Sequence, residues 1–382
     1  MRKRTLIPLL IAVLLLGALG VMLYLRAKAP PEAARLLPES DAIVYINLKA
    51  IRTLTHFDQT PLERSPDFQD FIDATGIVPE RDLDTVALAL HRMPDPTGPN
   101  GPVAYSEAFE GSFDGVRLAK YLASLASSTE DYADRTIYTI PVDGRQLRIA
   151  QVAYDTIVAS NMPTPEQIHS MIDRSRAGAL STPGSSLLAA RYRDVPLLSE
   201  AWGIGRIGLP FADGHEKDGN PGFISILGLD LPLRADTDLV ASLRYTAATR
   251  ILHGGAIHLR VEEFATDPAE AGKTVEAIAT LLGILRSISN EAASSQPPQN
   301  SSEAAMRAIL NSIALSQHGS HAILKATASI GQLKALAAAH NPALSTLAPA
   351  EPTGPAADGH GTAQETVHGA LRGKAKDRRS AR

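Results

Sequence analysis

The sequence predicts an α+β protein: an N-terminal transmembrane helix, two antiparallel sheet-and-helix units related by duplication, and a disordered C-terminal tail. Three observations predict this fold class. The first 28 residues contain a long apolar run, residues 37–340 alternate short strand patterns with amphipathic helical patterns, and residues 341–382 are rich in Ala, Pro, Gly and Thr. Apolar side chains recur every second residue in a half-buried strand and about every 3.6 residues in a helix.

The apolar run predicts a membrane anchor. Leu6 to Leu25 contains no side chain that is charged at neutral pH, and twenty helical residues span roughly 30 Å, the thickness of a bilayer's hydrocarbon core. A cleaved signal peptide is the alternative, but its apolar region is shorter, about 7–15 residues. The adjacent cleavage candidate, Ala27 to Ala29, is followed by Pro30, which is unfavourable because proline fixes φ and lacks the amide hydrogen. We therefore expect residues 1–28 to stay attached.

Basic residues at both ends of the run predict its orientation. Arg2, Lys3, Arg4 and the α-amino group precede it, whereas Arg26, Lys28 and Arg35 follow it, a small excess on the N-terminal side. A short basic tail before a first apolar segment usually stays in the cytoplasm. We expect a single-pass protein with a cytoplasmic N-terminus, the lipid bilayer as partner of Leu6 to Leu25, and an extracytoplasmic body, in the periplasm or at the cell surface.

Composition limits the chemistry of the body. The 382 residues are 44% hydrophobic and 20% charged, which is typical of globular proteins. Cysteine is absent, which excludes disulfides, thiol catalysis and cysteine-ligated metals. The formal net charge of −4 includes five positive charges in residues 1–28 and a net +5 in residues 372–382, which leaves −14 for residues 29–371. An acidic body repels phosphate backbones, so we expect no nucleic-acid partner.

Residues 29–36 are expected to be a linker, and residues 37–177 form the first predicted unit. Its predicted strands are 42–48, 85–91, 103–110, 136–142, 146–152 and 156–160, and its predicted helices are 67–75, one capped by Asp114, and 163–174. The buried stripe of the Asp114 helix is predicted to be Val116, Leu118, Tyr121, Leu122 and Leu125. Asp143-Gly144 predicts a tight hairpin turn.

Residues 178–236 are expected to be a Gly- and Pro-rich connection, and residues 237–340 the second unit. The second unit's predicted strands are 239–245, 256–264, 313–317 and 321–327, and its predicted helices are 267–288, 303–310 and 330–339, with a polar insert at 290–302. Glu107 to Phe109 and Glu262 to Phe264 each end a strand before an Asp-initiated helix. This match favours duplication, although antiparallel α+β units can share such an order by chance. Residues 341–382 cannot bury enough apolar surface to offset ordering entropy, and we expect them to be disordered with a basic end.

Motifs for cofactor or metal binding are weak. Gly203 to Gly208 matches G-x-G-x-x-G, but Pro210 and a polar loop follow where the phosphate-binding helix should begin. Glycines in a twisted strand or bulge are the preferred interpretation. His253 with His258, and His318 with His321, are too few for a zinc site. Within a strand, their spacings would place each pair on opposite faces.

Catalytic motifs are also absent from the sequence. It contains no G-x-S-x-G elbow, no P-loop and no EF-hand loop. Glu262 and Glu263 are adjacent on a predicted strand, so we expect them to point apart and to be solvent-exposed. No catalytic, cofactor-binding or metal-binding residue is assigned.

Residues 37–48, LPESDAIVYINL, lie close behind the predicted anchor. This opening resembles that of uncharacterised bacterial single-anchor envelope proteins, which are classified only as a domain of unknown function. The resemblance implies exported α+β domains and transfers no site residue.

Three functional hypotheses follow for an envelope protein of this kind. The first is a non-catalytic binding or structural role, and the second is an envelope-associated hydrolase whose polar residues meet only in the fold. A concave pocket with perturbed titratable groups would favour the enzyme. The third is a subunit whose exposed apolar surface is covered by an envelope protein partner.

Overall fold

The computed structural model describes residues 17, 29–59, 64–97, 101–142, 144–178, 184–206, 224–226, 229–231, 237–246, 255–295 and 301–340. The predicted anchor, Leu6 to Leu25, and the predicted disordered tail, 341–382, lie outside these residues apart from Gly17. Among the described helices, none combines the length and the apolar composition needed to cross a bilayer.

Most of the described chain is strand or helix. The strands are β1 (Ala42–Asn47), β2 (Leu83–Arg92), β3 (Val103–Gly111), β4 (Ser128–Tyr132), β5 (Arg135–Val142), β6 (Arg145–Ala153), β7 (Thr156–Ser160), β8 (Ala201–Arg206), β9 (Ile224–Ile226), β10 (Leu229–Leu231), β11 (Asp238–Thr246), β12 (Ala256–Phe264), β13 (Ala314–His318) and β14 (His321–Ser329). The helices are α1 (Glu32–Leu36), α2 (Leu48–Thr55), α3 (Pro66–Thr75), α4 (Pro79–Asp82), α5 (Gly115–Leu125), α6 (Glu166–Ala177), α7 (Ser186–Arg191), α8 (Pro268–Ser295), α9 (Ser301–Ser312) and α10 (Ile330–His340).

Twelve of the described strands form one antiparallel sheet, which confirms the mixed helix and antiparallel-sheet class. The order is β13-β14-β12-β11-β8-β1-β2-β3-β7-β6-β5-β4. The sheet is therefore continuous across both predicted units, and β8, from the predicted connection 178–236, pairs with β1 on one side and β11 on the other. Most of this connection is rich in Gly and Pro, but within it pairing on both sides holds residues 201–206 extended.

The two ends of the sheet share an order of elements. The hairpin β2–β3 is followed by α5 and by the four strands β4 to β7, and the hairpin β11–β12 is followed by α8, α9 and the two strands β13 and β14. In both cases the last strand returns to pair with the second strand of the first hairpin, as β7 does with β3 and β14 with β12. Glu107 to Phe109 and Glu262 to Phe264 lie in these equivalent strands, β3 and β12. Duplication itself stays a prediction.

Side chains alternate between the two faces of the sheet. We call the face that carries Tyr45, Trp202 and Arg260 the front, and the opposite face the back. Over β1, β2, β3 and β7 the front is covered by α1, α6 and α7, whose fully buried side chains include Ala33, Ala34, Ile168, Met171, Ile172 and Leu188. On the back, Leu118 and Leu122 of α5 pack near Ile157, and α8 meets β12 through a hydrogen bond from Thr274 to Glu263.

Several elements differ from the sequence predictions. Residues 29–36 are not a plain linker, because residues 32–36 form α1, whose Ala33 and Ala34 are 0% exposed. Alanine has the highest helix propensity and lets a helix approach a sheet closely. Helix α8 runs through the start of the predicted polar insert to residue 295. Elements α2, β4 and α7 were not predicted; β4 is an almost wholly exposed edge strand without apolar alternation.

The predicted stripe of α5 is correct at its centre and wrong at its ends. Asp114 caps the helix by accepting hydrogen bonds from the backbone N–H groups of Val116 and Arg117. Leu118 and Leu122 are buried, but Val116 is 82% exposed and Leu125 44% exposed. Val116 precedes Leu118 by two residues, about 200° around the helix, which places it on the opposite side. Leu125 is the last residue of the helix.

Candidate functional site

A cleft of about 840 Å³ opens on the front face, where β1 and β8 meet α7 and the chain that follows it. Its aromatic wall is formed by Tyr45 and Trp202, which stack with ring centroids 5.4 Å apart, and by Tyr192, which meets Trp202 edge-on at 5.3 Å. Aliphatic side chains supply much of the rest: Leu188, Val195, Leu197 and Leu198. A cleft of this size with aromatic and aliphatic walls suits an apolar ligand or an apolar part of one.

Polar groups at the cleft are few. Asn47, Arg193 and Ser199 are the other side chains that could orient a ligand. Burial raises the pKa of Tyr45, with smaller contributions from Glu110 and Tyr192, and burial also raises the pKa of Tyr192. Both phenols therefore stay neutral at physiological pH, and the aromatic wall carries no charge.

The residues at the N-terminal end of the described body lie at the edge of the cleft. Ala29, Pro30 and Pro31 line it directly before α1 begins at Glu32. These residues follow the predicted anchor by only a few positions. The cleft therefore lies where the described body begins.

The rim of the cleft carries an exposed leucine in an uncommon backbone conformation. Leu198 is 79% exposed, and its φ is +62°. Non-glycine residues seldom adopt positive φ. An exposed apolar side chain held in this conformation is consistent with a role at a binding surface.

The glycines of β8 explain how the aromatic wall forms. Trp202 and Ile204 point to the front, and Gly203 and Gly205 alternate with them. A Cβ at Gly205 would overlap the Cβ of Ala42, so only glycine permits this approach of β8 to β1. Residues 203–206 are therefore strand, which confirms the strand interpretation of G-x-G-x-x-G; Gly208 lies outside the described residues.

A histidine and two serines form a hydrogen-bonded cluster between β2, β3 and β7. His91 Nε2 lies 2.9 Å from Ser106 Oγ, which lies 3.0 Å from Ser160 Oγ. Ser106 and Ser160 are 0% and 1% exposed, and His91 is 6% exposed. Burial lowers the pKa of His91, although Asp41 and the Glu39 carbonyl oppose this. Because these three side chains join β2, β3 and β7 and do not line the cleft, the cluster fits a cross-strand hydrogen-bond network.

The histidine pairs singled out from the sequence have separate roles. His253 lies outside the described residues, and His258 Nδ1 lies 3.3 Å from Thr327 Oγ1. His318 and His321 are direct partners across the β13–β14 hairpin, so the prediction that they lie on opposite faces is wrong. The turn at 319–320 reverses the chain between them, which the strand-spacing argument did not consider. No group of three metal-ligating side chains occurs in the part of the chain that the structure describes.

Glu262 and Glu263 point to opposite faces as expected, but their predicted exposure is wrong. Both residues are 7% exposed. Glu262 accepts hydrogen bonds from Arg260 at 2.6 Å and from His321 at 2.8 Å on the front. On the back, burial raises the pKa of Glu263, and a hydrogen bond from Thr274 opposes the shift.

The aromatic cleft was missed by sequence reasoning. The signal that could have found it is Trp202, the single tryptophan of the chain, which follows a proline-containing segment and precedes alternating glycines. Its alignment with Tyr45 depends on the pairing of β1 with β8, which lie more than 150 positions apart in the sequence.

Comparisons with known proteins identify no family for this chain. No protein-family model matches it, and no curated protein matches it. Among solved structures, crystal form I of a protein designated TP0453 is similar, with a TM-score of 0.42 and 12% identity, covering 81% of this chain and 97% of that one. Crystal form III has a TM-score of 0.41 and 11% identity over 81% and 99%. The similarity is too distant to transfer a function, and the family resemblance of residues 37–48 stays a prediction.

Proposed function

We propose that the chain is a membrane-anchored, extracytoplasmic binding protein that holds an apolar or amphiphilic ligand in its front cleft. The observation that carries this proposal is the aromatic and aliphatic wall formed by Tyr45, Trp202 and Tyr192 beside the N-terminal entry at Ala29. The cleft is lined mainly by aromatic and aliphatic side chains and by few polar ones, which favours binding over catalysis.

The proposed anchor would place the cleft close to a bilayer. Four residue steps separate Leu25, the end of the apolar run, from Ala29 at the cleft edge. A fully extended chain covers at most about 14 Å in four residues. If Leu6 to Leu25 spans the membrane, an amphiphile leaving the bilayer meets the cleft without crossing bulk water.

The same proposal includes the finer architecture. Two duplicated units share one sheet; in support, at both ends a hairpin is followed by helix and then by strands, the last of which pairs with the second strand of the hairpin. The predicted disorder of the basic tail beyond residue 340 concerns residues outside the described ranges. A further candidate ligand is an envelope protein partner that binds the exposed rim at Leu198. The hydrolase alternative has less support, because the buried Ser106 and His91 do not line the cleft.

The test uses the full chain in zwitterionic nanodiscs and the fluorescence of Trp202, the single tryptophan. Dibromostearate is the probe, because bromine quenches tryptophan only near contact. We expect saturable quenching in the wild type. Ala189 is exposed on α7 and lines the cleft, so Ala189→Phe should fill it and weaken binding about tenfold, or ~1.4 kcal/mol.

Ala190→Phe provides the matched control. Ala190 is also exposed on α7 but does not line the cleft, so dibromostearate should quench this variant as it quenches the wild type. Absence of saturable quenching in the wild type, or equal weakening in both variants, would overturn the binding proposal.

The orientation has its own test. A reporter that is active only outside the cytoplasm, fused after residue 340, should be active when the full N-terminal segment is present. A well-expressed but inactive fusion would refute the extracytoplasmic placement.

A further inference from the structure

A single cross-strand row on the front face leads from the cleft to a group of cations. Tyr45 is the partner of Trp202, Trp202 of Ser242, Ser242 of Arg260, and Arg260 of Lys325. Direct partners in an antiparallel sheet point to the same face. The row therefore begins with aromatic rings and ends with two basic side chains.

The basic end of the row lines a second cavity. It measures about 330 Å³, and Arg244, His258, Arg260 and Lys325 contribute to its walls. Pro196 lines both this cavity and the aromatic cleft. The two cavities are therefore neighbours on one face, one apolar and one basic.

The positive charge of the second cavity is only partly neutralised. Arg260 is paired with Glu262 at 2.6 Å, whereas Arg244 and Lys325 are exposed and form no ion pair within the described ranges. The nearby Glu200 carboxylate accepts a hydrogen bond from the backbone N–H of Tyr245. Residues 29–371 have a net charge of −14, so unpaired cations at this place contrast with the acidic body around them.

The spacing of the two cavities matches one amphiphile. Neighbouring strands lie about 4.8 Å apart, so Arg260 is roughly 10 Å and Lys325 roughly 14 Å from Trp202 along the row. A ligand whose apolar chain reaches Trp202 can therefore place a headgroup among Arg244, Arg260 and Lys325 without leaving the sheet face.

We propose, building on the proposed function of the cleft, that the ligand is an anionic phosphate-bearing amphiphile. Its acyl chain occupies the aromatic cleft, and its phosphate lies between Arg244 and Lys325. Arginine and lysine form charge-assisted hydrogen bonds to phosphate oxygens. The exposed position of both side chains lets them close on the headgroup without breaking a native ion pair.

The experiment compares two lysophospholipids that carry the same dibrominated chain, a lysophosphatidic acid and a lysophosphatidylcholine. Each is added to the full chain in zwitterionic nanodiscs. We expect the anionic lipid to quench Trp202 with an affinity about tenfold higher than that of the zwitterionic lipid. This difference in affinity should decrease as the salt concentration rises. The double variant Arg244→Gln/Lys325→Gln should lose this preference and keep the affinity for lysophosphatidylcholine. The matched control is Lys120→Gln/Arg135→Gln, which neutralises two exposed cations away from both cavities and should leave the preference unchanged.

Each result separates the headgroup proposal from the cleft proposal. Equal affinity for both lipids in the wild type would overturn the headgroup site while leaving the cleft intact. Absence of quenching by either lipid would overturn both. A third outcome involves millimolar inorganic phosphate. If it stabilises the wild type as strongly as the anionic lipid does, and does not stabilise the double variant, the site binds free phosphate and the lipid headgroup is rejected.

Discussion

The two halves of the front face differ in what covers them, although the sheet is continuous. Over β2 and β3, front positions are occupied by small residues, among them Ala87, Ala89 and Ala108, each 0% exposed beneath α1 and α6. Over β11, β12 and β14, front positions include Arg244, Arg260 and Lys325, of which Arg244 and Lys325 are exposed. The small side chains leave room for helices, and the long charged ones keep the face accessible to solvent and ligand.

The cleft lies at the border between these halves. Arg191 of α7 bonds Asp238 of β11 at 2.6 and 2.8 Å and lies 4.3 Å above the Phe264 ring of β12. The last helix of the covered half is thereby joined to the first strands of the open half. A ligand site at this border can use apolar surface from one side and charge from the other.

The largest expected effect compares one isoleucine from each half. Ile43 on β1 is 0% exposed in the covered half, whereas Ile323 on β14 is only partly buried in the open half. Ile43→Ala should lower the free energy of unfolding by about 2–5 kcal/mol, because it leaves a cavity beneath the helices. Ile323→Ala should cost roughly 1 kcal/mol or less, because solvent reaches the site.

Urea unfolding of the full chain in mild detergent measures both values. Unchanged denaturant slopes in the two variants would serve as the control that the unfolded ensemble is unaffected. Equal losses of unfolding free energy in the two variants would show that the two halves are packed alike and would contradict the difference described above.

A smaller effect compares two strand carboxylates. Burial raises the pKa of Glu107 on β3. Burial also acts on Glu262 of β12, but hydrogen bonds and charge from Arg260 and His321 outweigh it and lower the pKa below the usual 4.5. Near pH 7, Glu107→Gln should stabilise the fold by less than about 1 kcal/mol, and Glu262→Gln should destabilise it by about 1 kcal/mol.

The two variants should also differ in their pH dependence. The folded protein retains a proton on Glu107 where the unfolded chain has lost it, so wild-type stability from this group falls as pH rises from 4.5 through the raised pKa. For Glu262, stability is present above 4.5 and falls as pH drops through the lowered pKa. Unfolding free energies near pH 7 and near pH 4 therefore check both signs. Parallel pH profiles for the two variants would contradict the assignment.

Local patterns predicted much of the fold. The alternation of residues 103–110 and 256–264, the Asp114 cap and the Gly144 turn correspond to β3, β12, α5 and the β5–β6 hairpin. These features depend on neighbours within a few positions, which the sequence displays directly. Helix α1 was not predicted, and the pairing of β8 with β1 and β11 was not predicted, because short segments with small residues become ordered only through contacts with distant strands.

The candidate site was less predictable. Glu262 was expected to be exposed because adjacent carboxylates on a strand point apart, but it is buried, and its partners are Arg260 and His321, which is 59 positions away. The cleft likewise requires Tyr45 and Trp202 to stack across two strands whose pairing no local pattern specifies.

By itself the sequence determined the class of secondary structure, the acidic charge of the body and the absence of cysteine chemistry, because these follow from composition and short-range periodicity. Tertiary structure alone decided that one sheet runs through both units, that helices cover its front over β1, β2, β3 and β7, and that aromatic and basic side chains lie in one row. The physical reason is that cross-strand register places residues from distant parts of the chain about 4.8 Å apart, and that arrangement is set by long-range packing.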